Sequence, residues 1–204
     1  LNFTNLGYQS YLIAQEELDL IDKLHFDALR LGNILNDVTI AEPYLRDANI
    51  IGFDMKSLRW QATNLPSGNP NGIDARTICA LARYAGISDR LDIFGVFELP
   101  NSNVFNQLLA QIIWYFIEGY SCRFDEYPVL TSKGFTRYTV TLSDMEMIFF
   151  QSEKSNRWWL EVTNHSYLNN KNKTTTLLPC THQDYLDACN DKIPDMWWKA
   201  IKRG

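Results

Sequence analysis

Two carboxylates occupy positions where an α/β chain can do chemistry. Asp54 closes the apolar run Asn49-Ile-Ile-Gly-Phe53, and Glu98 closes the run Leu91–Phe97. Each run is long enough for a buried strand, so each acid would stand at a strand's carboxyl end. Ligands of open α/β sheets lie in the crevice beyond those ends. Lys56 and Arg59 follow Asp54 closely, and the polar stretch Gln61–Gly72, with two prolines and two glycines, reads as a long loop. Position names a place for chemistry but no reaction. Asp54 can equally cap a turn or pair with Lys56 or Arg59, and Glu98 can be an ion-pair partner within the rim.

Other reactive side chains are scattered. His25, His165 and His182 have no partner at metal-ligand spacing, which argues against zinc. Cys79, Cys122, Cys180 and Cys189 form no CxxC pair and read as reduced, buried thiols of a cytoplasmic protein. The 204 residues suit one large domain, or one domain with an appendage. A net charge of −5 argues against nucleic acid as the main partner. No apolar run reaches the roughly 18 residues of a membrane span, so no membrane partner is expected. The chain opens on Leu1 rather than Met, which reads as part of a longer protein.

The elements that must position the acids follow from periodicity. Tyr8–Ile13 reads as a strand. Leu18, Ile21, Leu24, Ala28 and Leu31 recur at helical spacing, predicting a helix over Glu16–Leu31 that Gly32 stops. Ile34–Arg46 reads as a connector. Asp74–Ala85 reads as a helix ended by Gly86. Asn103–Tyr120 has a wide apolar face of Leu108, Leu109, Ile112, Ile113, Phe116 and Ile117, which suggests packing on a sheet. Strand and helix thus alternate three times, which predicts parallel strands joined by right-handed crossovers. Asp54 and Glu98 should then share one rim.

The pattern changes near Ser121. Phe135–Leu142 alternates as a half-buried strand, with Met147–Gln151 and Arg157–Val162 as two more. Asn164–Thr176 reads as a polar loop. Thr181-His-Gln-Asp184 resembles a capping box opening a helix, and Asp195–Lys202 reads as a last helix. Each of the doublets Trp158-Trp159 and Trp197-Trp198 reads either as one core residue and one residue covering the sheet edge or as part of a partner surface. Lys199, Lys202 and Arg203 read as a solvated helix end.

Gly52-Phe-Asp54-Met-Lys56-Ser-Leu-Arg59-Trp60 resembles the Ser-x-Asp-x-Asp-x-x-Asp-Pro element of the arginase, agmatinase and formimidoylglutamase (ureohydrolase) family. Asp54 matches the first metal-binding aspartate; Lys56 stands where the second should be, and Arg59-Trp60 replaces Asp-Pro. Leu65-Pro-Ser-Gly-Asn-Pro-Asn-Gly72 is similar to the family's Pro-Gly-rich loop. Phe97-Glu98-Leu99-Pro100-Asn101 resembles its Glu-Val-Asn-Pro strand end, whose glutamate reaches towards a guanidinium-type substrate. The resemblance covers about Tyr8–Tyr120. The chain is similar above all to a divergent Bacteroidetes group, in Asn71-Gly72, Ala82–Gly86 and Ile113–Gly119 and, in the tail, Arg157–Trp159 and Pro194–Lys199.

The resemblance implies a three-layer αβα fold with a parallel sheet over residues 1–120, lacking its upstream strands, and an α+β appendage over 121–204. It implies Asp54 as a metal ligand and Glu98 as a substrate-binding residue. Two functions stay open. One is a non-catalytic binding or assembly module with a degraded dimanganese site, needing no cofactor. The other is a manganese-dependent hydrolase of linear amidine or formimidoyl C–N bonds. The second needs the family's remaining ligands, a histidine and an Asp-x-His-x-Asp element, which this sequence lacks. A small amidine or guanidino ligand and a homo-oligomer are the partners the resemblance suggests.

Overall fold

The structure, a computed structural model, describes residues 2–63, 69–126, 133–142, 145–164 and 174–203. The chain divides into two compact units, one of residues 4–14 and 28–125, the other of residues 1–3, 15–27 and 126–204. Through residue 121 the elements are β1 (Thr4–Tyr8), α1 (Gln15–Lys23), β2 (Asp27–Arg30), α2 (Leu31–Asn36), α3 (Glu42–Arg46), β3 (Ile50–Asp54), α4 (Trp60–Thr63), α5 (Ala75–Ile87), β4 (Ile93–Phe97) and α6 (Asn103–Ser121).

In the larger unit β3 and β4 pair in parallel, with Ile50 opposite Ile93 and Asp54 opposite Phe97. Alternation along β3 sends Ile51 and Phe53 into the core and leaves Ile50 exposed. The ring of Phe94 meets Phe53 edge-on at 5.0 Å and stacks on Phe116 of α6 at 4.3 Å. This aromatic column fastens the sheet to α6. Ser102 caps α6 and Asp74 caps α5, each side chain accepting a backbone N–H of the first turn.

α5 and α6 touch through their backbones. A Cβ on Gly86 would lie 2.1 Å from the Phe116 carbonyl oxygen, and one on Gly119 would lie 2.3 Å from the Arg83 carbonyl oxygen. The Arg83 guanidinium reaches across the same crossing to Glu118 at 2.6 Å. Gly86 therefore does not end the helix, as its residue type suggests; it lies inside α5 as a contact point.

Four further expectations fail. The first three strands do not lie side by side in one parallel sheet, because β1 pairs with β2 while β3 and β4 form a sheet of their own. The first strand ends at Tyr8 instead of starting there, and Gln9–Leu12 makes a turn closed by a 2.9 Å backbone hydrogen bond. The helix expected over Glu16–Leu31 stops at Lys23; His25 adopts φ 54° and residues 27–30 become strand β2. Gly32 and the expected connector fall within short helical segments, α2 and α3 among them.

The smaller unit carries an antiparallel sheet of β5 (Phe135–Leu142), β6 (Met145–Ser152), β7 (Trp158–Asn164) and β8 (Thr174–Cys180), ordered β5-β6-β7-β8, followed by α7 (His182–Cys189) and α8 (Asp195–Arg203). β8 occupies part of the stretch read as a polar loop; residues 165–173 of that stretch, including His165, lie outside the described residues. The capping box at Thr181 is present with both hydrogen bonds. Trp158 and Trp159 are both buried, on opposite faces of β7: Trp158 stacks on Tyr185 at 4.9 Å, and Trp159 packs with Phe150 and Leu177. Trp197 is buried and Trp198 exposed, the latter beneath the Lys202 ammonium.

The basic C-terminal end is not simply solvated. Lys199 and Arg203 both reach the buried carboxylate of Asp27, at 3.2 and 3.4 Å. A buried acid is tolerated when so paired. Cys79 and Cys180 are buried, but Cys122 and Cys189 are exposed, and all four are free thiols. Among the described residues no helix is long and apolar enough to cross a membrane.

The α5–α6 crossing generates a stability prediction. Gly86→Ala forces two backbones apart and should cost at least about 1–3 kcal/mol. Gly32→Ala is the control, since a Cβ there meets nothing within 4 Å; it should be neutral or stabilise by up to about 1 kcal/mol. Denaturant unfolding measures both. Equal midpoints for Gly86→Ala and the unsubstituted protein would contradict the close crossing.

Candidate functional site

The parallel register places Asp54 beside Phe97, so Asp54 and Glu98 do share the carboxyl-end rim of β3 and β4. The chain leaves β3 through a tight 3-10 turn, Met55–Ser57, flanked by the fully buried Met55 and Leu58. Burial of these two side chains fixes the turn and sends Lys56 outward. The Asp54 carboxylate caps the turn: Oδ1 accepts the Lys56 backbone N–H at 2.8 Å, while the Asp54 carbonyl accepts the Ser57 hydroxyl at 2.6 Å.

The Lys56 ammonium lies 3.0 Å from Glu98 Oε2, with the two side chains 70% and 54% exposed. An exposed pair of this kind contributes about 0–1 kcal/mol. Glu98 also adopts φ 54°, the left-handed region that side chains other than glycine rarely take. The preceding Phe97 lays its ring across Gly52 and Gly95, where Cβ atoms would approach it to 3.0 and 2.8 Å. Two facing glycines thus make the bed for Phe97 at the point where the chain turns into Glu98.

The loop after β3 returns to the same rim. Arg59 N–H donates to the Ile73 carbonyl at 2.9 Å, and Ile73 N–H donates to the Ser57 carbonyl at 2.8 Å. Gly72 packs against this backbone so closely that a Cβ would lie 2.5 Å from the Ser57 oxygen. Arg59 Nε is buried without a hydrogen-bond partner among the described residues. Leu65 to Gly68, part of the proline- and glycine-rich loop, lie outside the described residues.

The rim therefore gathers Asp54, Lys56 and Glu98, two acids and one cation, with Arg59 three residues further along the same loop. Two divalent ions need several hard anionic oxygens. Here one Asp54 oxygen is committed to the turn, and the Glu98 carboxylate already faces an ammonium. Among the described residues no three His, Cys, Asp or Glu side chains converge as metal ligands, and His25 and His182 belong to the smaller unit. These residues do not fit a dimanganese centre.

The backbone of Glu98 gives the site's own prediction. Glycine removes the cost of the left-handed conformation, about 1–2 kcal/mol, which alanine retains. Both substitutions delete the Lys56 pair equally. Glu98→Gly should therefore be more stable than Glu98→Ala by about 1 kcal/mol in denaturant unfolding. Equal stabilities, or the reverse order, would mean that residue 98 is not held at positive φ.

Comparison with known proteins bears on the fold. No protein-family model matches the sequence, and no curated protein matches it. Among solved structures, the chain is similar to the formiminoglutamase of Trypanosoma cruzi, with a TM-score of 0.53 and 15% identity over 59% of this chain and 45% of that one. It is similar also to the formimidoylglutamase of Bacillus subtilis, with a TM-score of 0.52 and 14% identity over 59% of this chain and 42% of that one. The trypanosomal enzyme has been solved with Mn2+. The chain spans less than half the length of these enzymes. At such identities the likeness is one of fold: a mixed α/β chain with arginase-superfamily neighbours, whose parallel sheet here is small and whose other large sheet is antiparallel.

Proposed function

We propose that this chain is a divergent arginase/formimidoylglutamase-like protein whose dimanganese site is degraded and which acts as a non-catalytic binding or assembly module. The observation that carries the reading is the Lys56–Glu98 ion pair at 3.0 Å. Glu98 is the acid that the family resemblance assigns to a guanidinium-type substrate. Its partner here is a cation from the chain itself, at the position where the family has a metal-binding aspartate. Lys56 thus removes an anionic metal ligand and competes for the acid that would hold a cationic ligand.

On this reading the ligand is a small amidine or guanidino compound that must displace Lys56. Manganese is not required, no nucleic acid or membrane is engaged, and the protein works in the cytoplasm, as a homo-oligomer in the assembly role. One observation favours the hydrolase alternative: Asp54 and Glu98 share a rim, as a working site of this family would need. That alternative requires the missing metal ligands from residues beyond this sequence, with Asp54 adding one and Lys56 swung away.

Methylguanidine is the test ligand, titrated by NMR into the unsubstituted protein, Lys56→Met and Glu98→Gln. Removing the competing ammonium should tighten binding about two- to fivefold, the range of an exposed ion pair. Glu98→Gln should lose binding. Unchanged affinity in Lys56→Met, or retained affinity in Glu98→Gln, would overturn the reading.

A further inference from the structure

The larger unit holds a second concave site that shares no residue with the Asp54–Glu98 rim. It is a shallow, open hollow of about 180 Å³ between the end of β1 and the start of α2. Tyr8, Tyr11, Leu31 and Leu35 supply aromatic and aliphatic walls, and Arg30 and Asn71 supply polar groups. The lining contains one guanidinium and no carboxylate, in a chain that carries more acids than bases.

Arg30 is not neutralised by any carboxylate among the described residues, whereas Arg46, Arg83, Arg90 and Arg203 are all paired. Its backbone precedes α2 in extended conformation, and its side chain makes no cap hydrogen bond. Among the described residues its side chain donates one hydrogen bond, from Nε to the Tyr8 hydroxyl at 3.2 Å, and its guanidinium lies 6.0 Å from the centre of the Tyr8 ring. That contact orients the guanidinium and leaves both terminal amino groups as donors. A planar guanidinium with two parallel N–H groups matches a carboxylate bidentately. The Tyr11 hydroxyl donates to Oε1 of Gln9, another lining residue, at 2.5 Å, so its proton is already committed.

We propose that this hollow binds a small organic acid with a flat or apolar body, its carboxylate held by Arg30 and its body by Tyr8, Tyr11, Leu31 and Leu35. The volume is below the roughly 300 Å³ at which drug-sized sites begin, which sets the ligand near a single ring. A bare inorganic anion would use the charge and waste the walls. An uncharged ring would use the walls and leave the guanidinium without its counter-charge.

Benzoate is the probe, with benzamide as its uncharged counterpart and inorganic phosphate as the bare anion. Each is titrated by NMR into the full chain, following the amides of residues 8–11 and 30–35. Benzoate should bind with shifts confined to those residues, and benzamide and phosphate more weakly by at least twofold. Arg30→Gln should weaken benzoate about two- to fivefold, the range of an exposed ion pair. Arg30→Lys, which keeps the charge but loses the fork, should fall between. Arg30 is exposed at the surface, so these variants are expected to fold; matching unfolding curves verify it. No benzoate binding, equal binding of benzamide, or unchanged affinity in Arg30→Gln would each overturn the proposal.

Discussion

The site depends on a turn that consumes its own carboxylate. Met55 and Leu58 are both buried, on either side of a tight reversal after Phe53. The reversal needs a cap, and Asp54 supplies it. With Asp54 folded back on the chain and Met55 buried, the next exposed side chain, Lys56, projects from the rim. The in-register pairing of β3 and β4 has already placed Glu98 there to meet it. Core packing thus dictates which charges meet, though the meeting itself contributes little to stability.

Small stabilisation does not mean small chemical consequence. At about 4 Å and an effective dielectric near 20, one unit of charge is worth roughly 4 kcal/mol. Exchanging a carboxylate for an ammonium changes the charge twice over, against an ion that is itself doubly charged. A pair that hardly affects folding can therefore decide whether a divalent cation is held at all. The fold does not rest on this pair: its support lies in the Phe53–Phe94–Phe116 column and the glycine contact of α5 with α6.

Parts of this architecture were legible in the residues, and the exceptions have physical causes. β3, β4, α5, α6 and the Thr181 cap announce themselves through unbroken apolar runs, helical stripes and short-range capping pairs. The helix over Glu16–Leu31 was over-read because Leu24, Ala28 and Leu31 keep helical spacing by coincidence. Pairing of residues 27–30 with β1, a tertiary choice, overrides it. β8 was missed because its threonine-rich start looks polar, although it pairs along its length with β7. Strand partnership was the least legible feature: a parallel order of three strands is a default from connectivity, and β1 takes β2 instead. The shared rim followed from topology alone. The Arg30 hollow left no local signal, since its walls come from three separate stretches of chain.

The metal content of the purified full-length protein tests the central claim most directly. The protein is dialysed against excess Mn2+, freed of loosely held ion, and assayed for bound metal beside Lys56→Asp. The account predicts far less than one Mn2+ per chain for the unsubstituted protein. One to two Mn2+ per chain, retained with Lys56 in place, would contradict it.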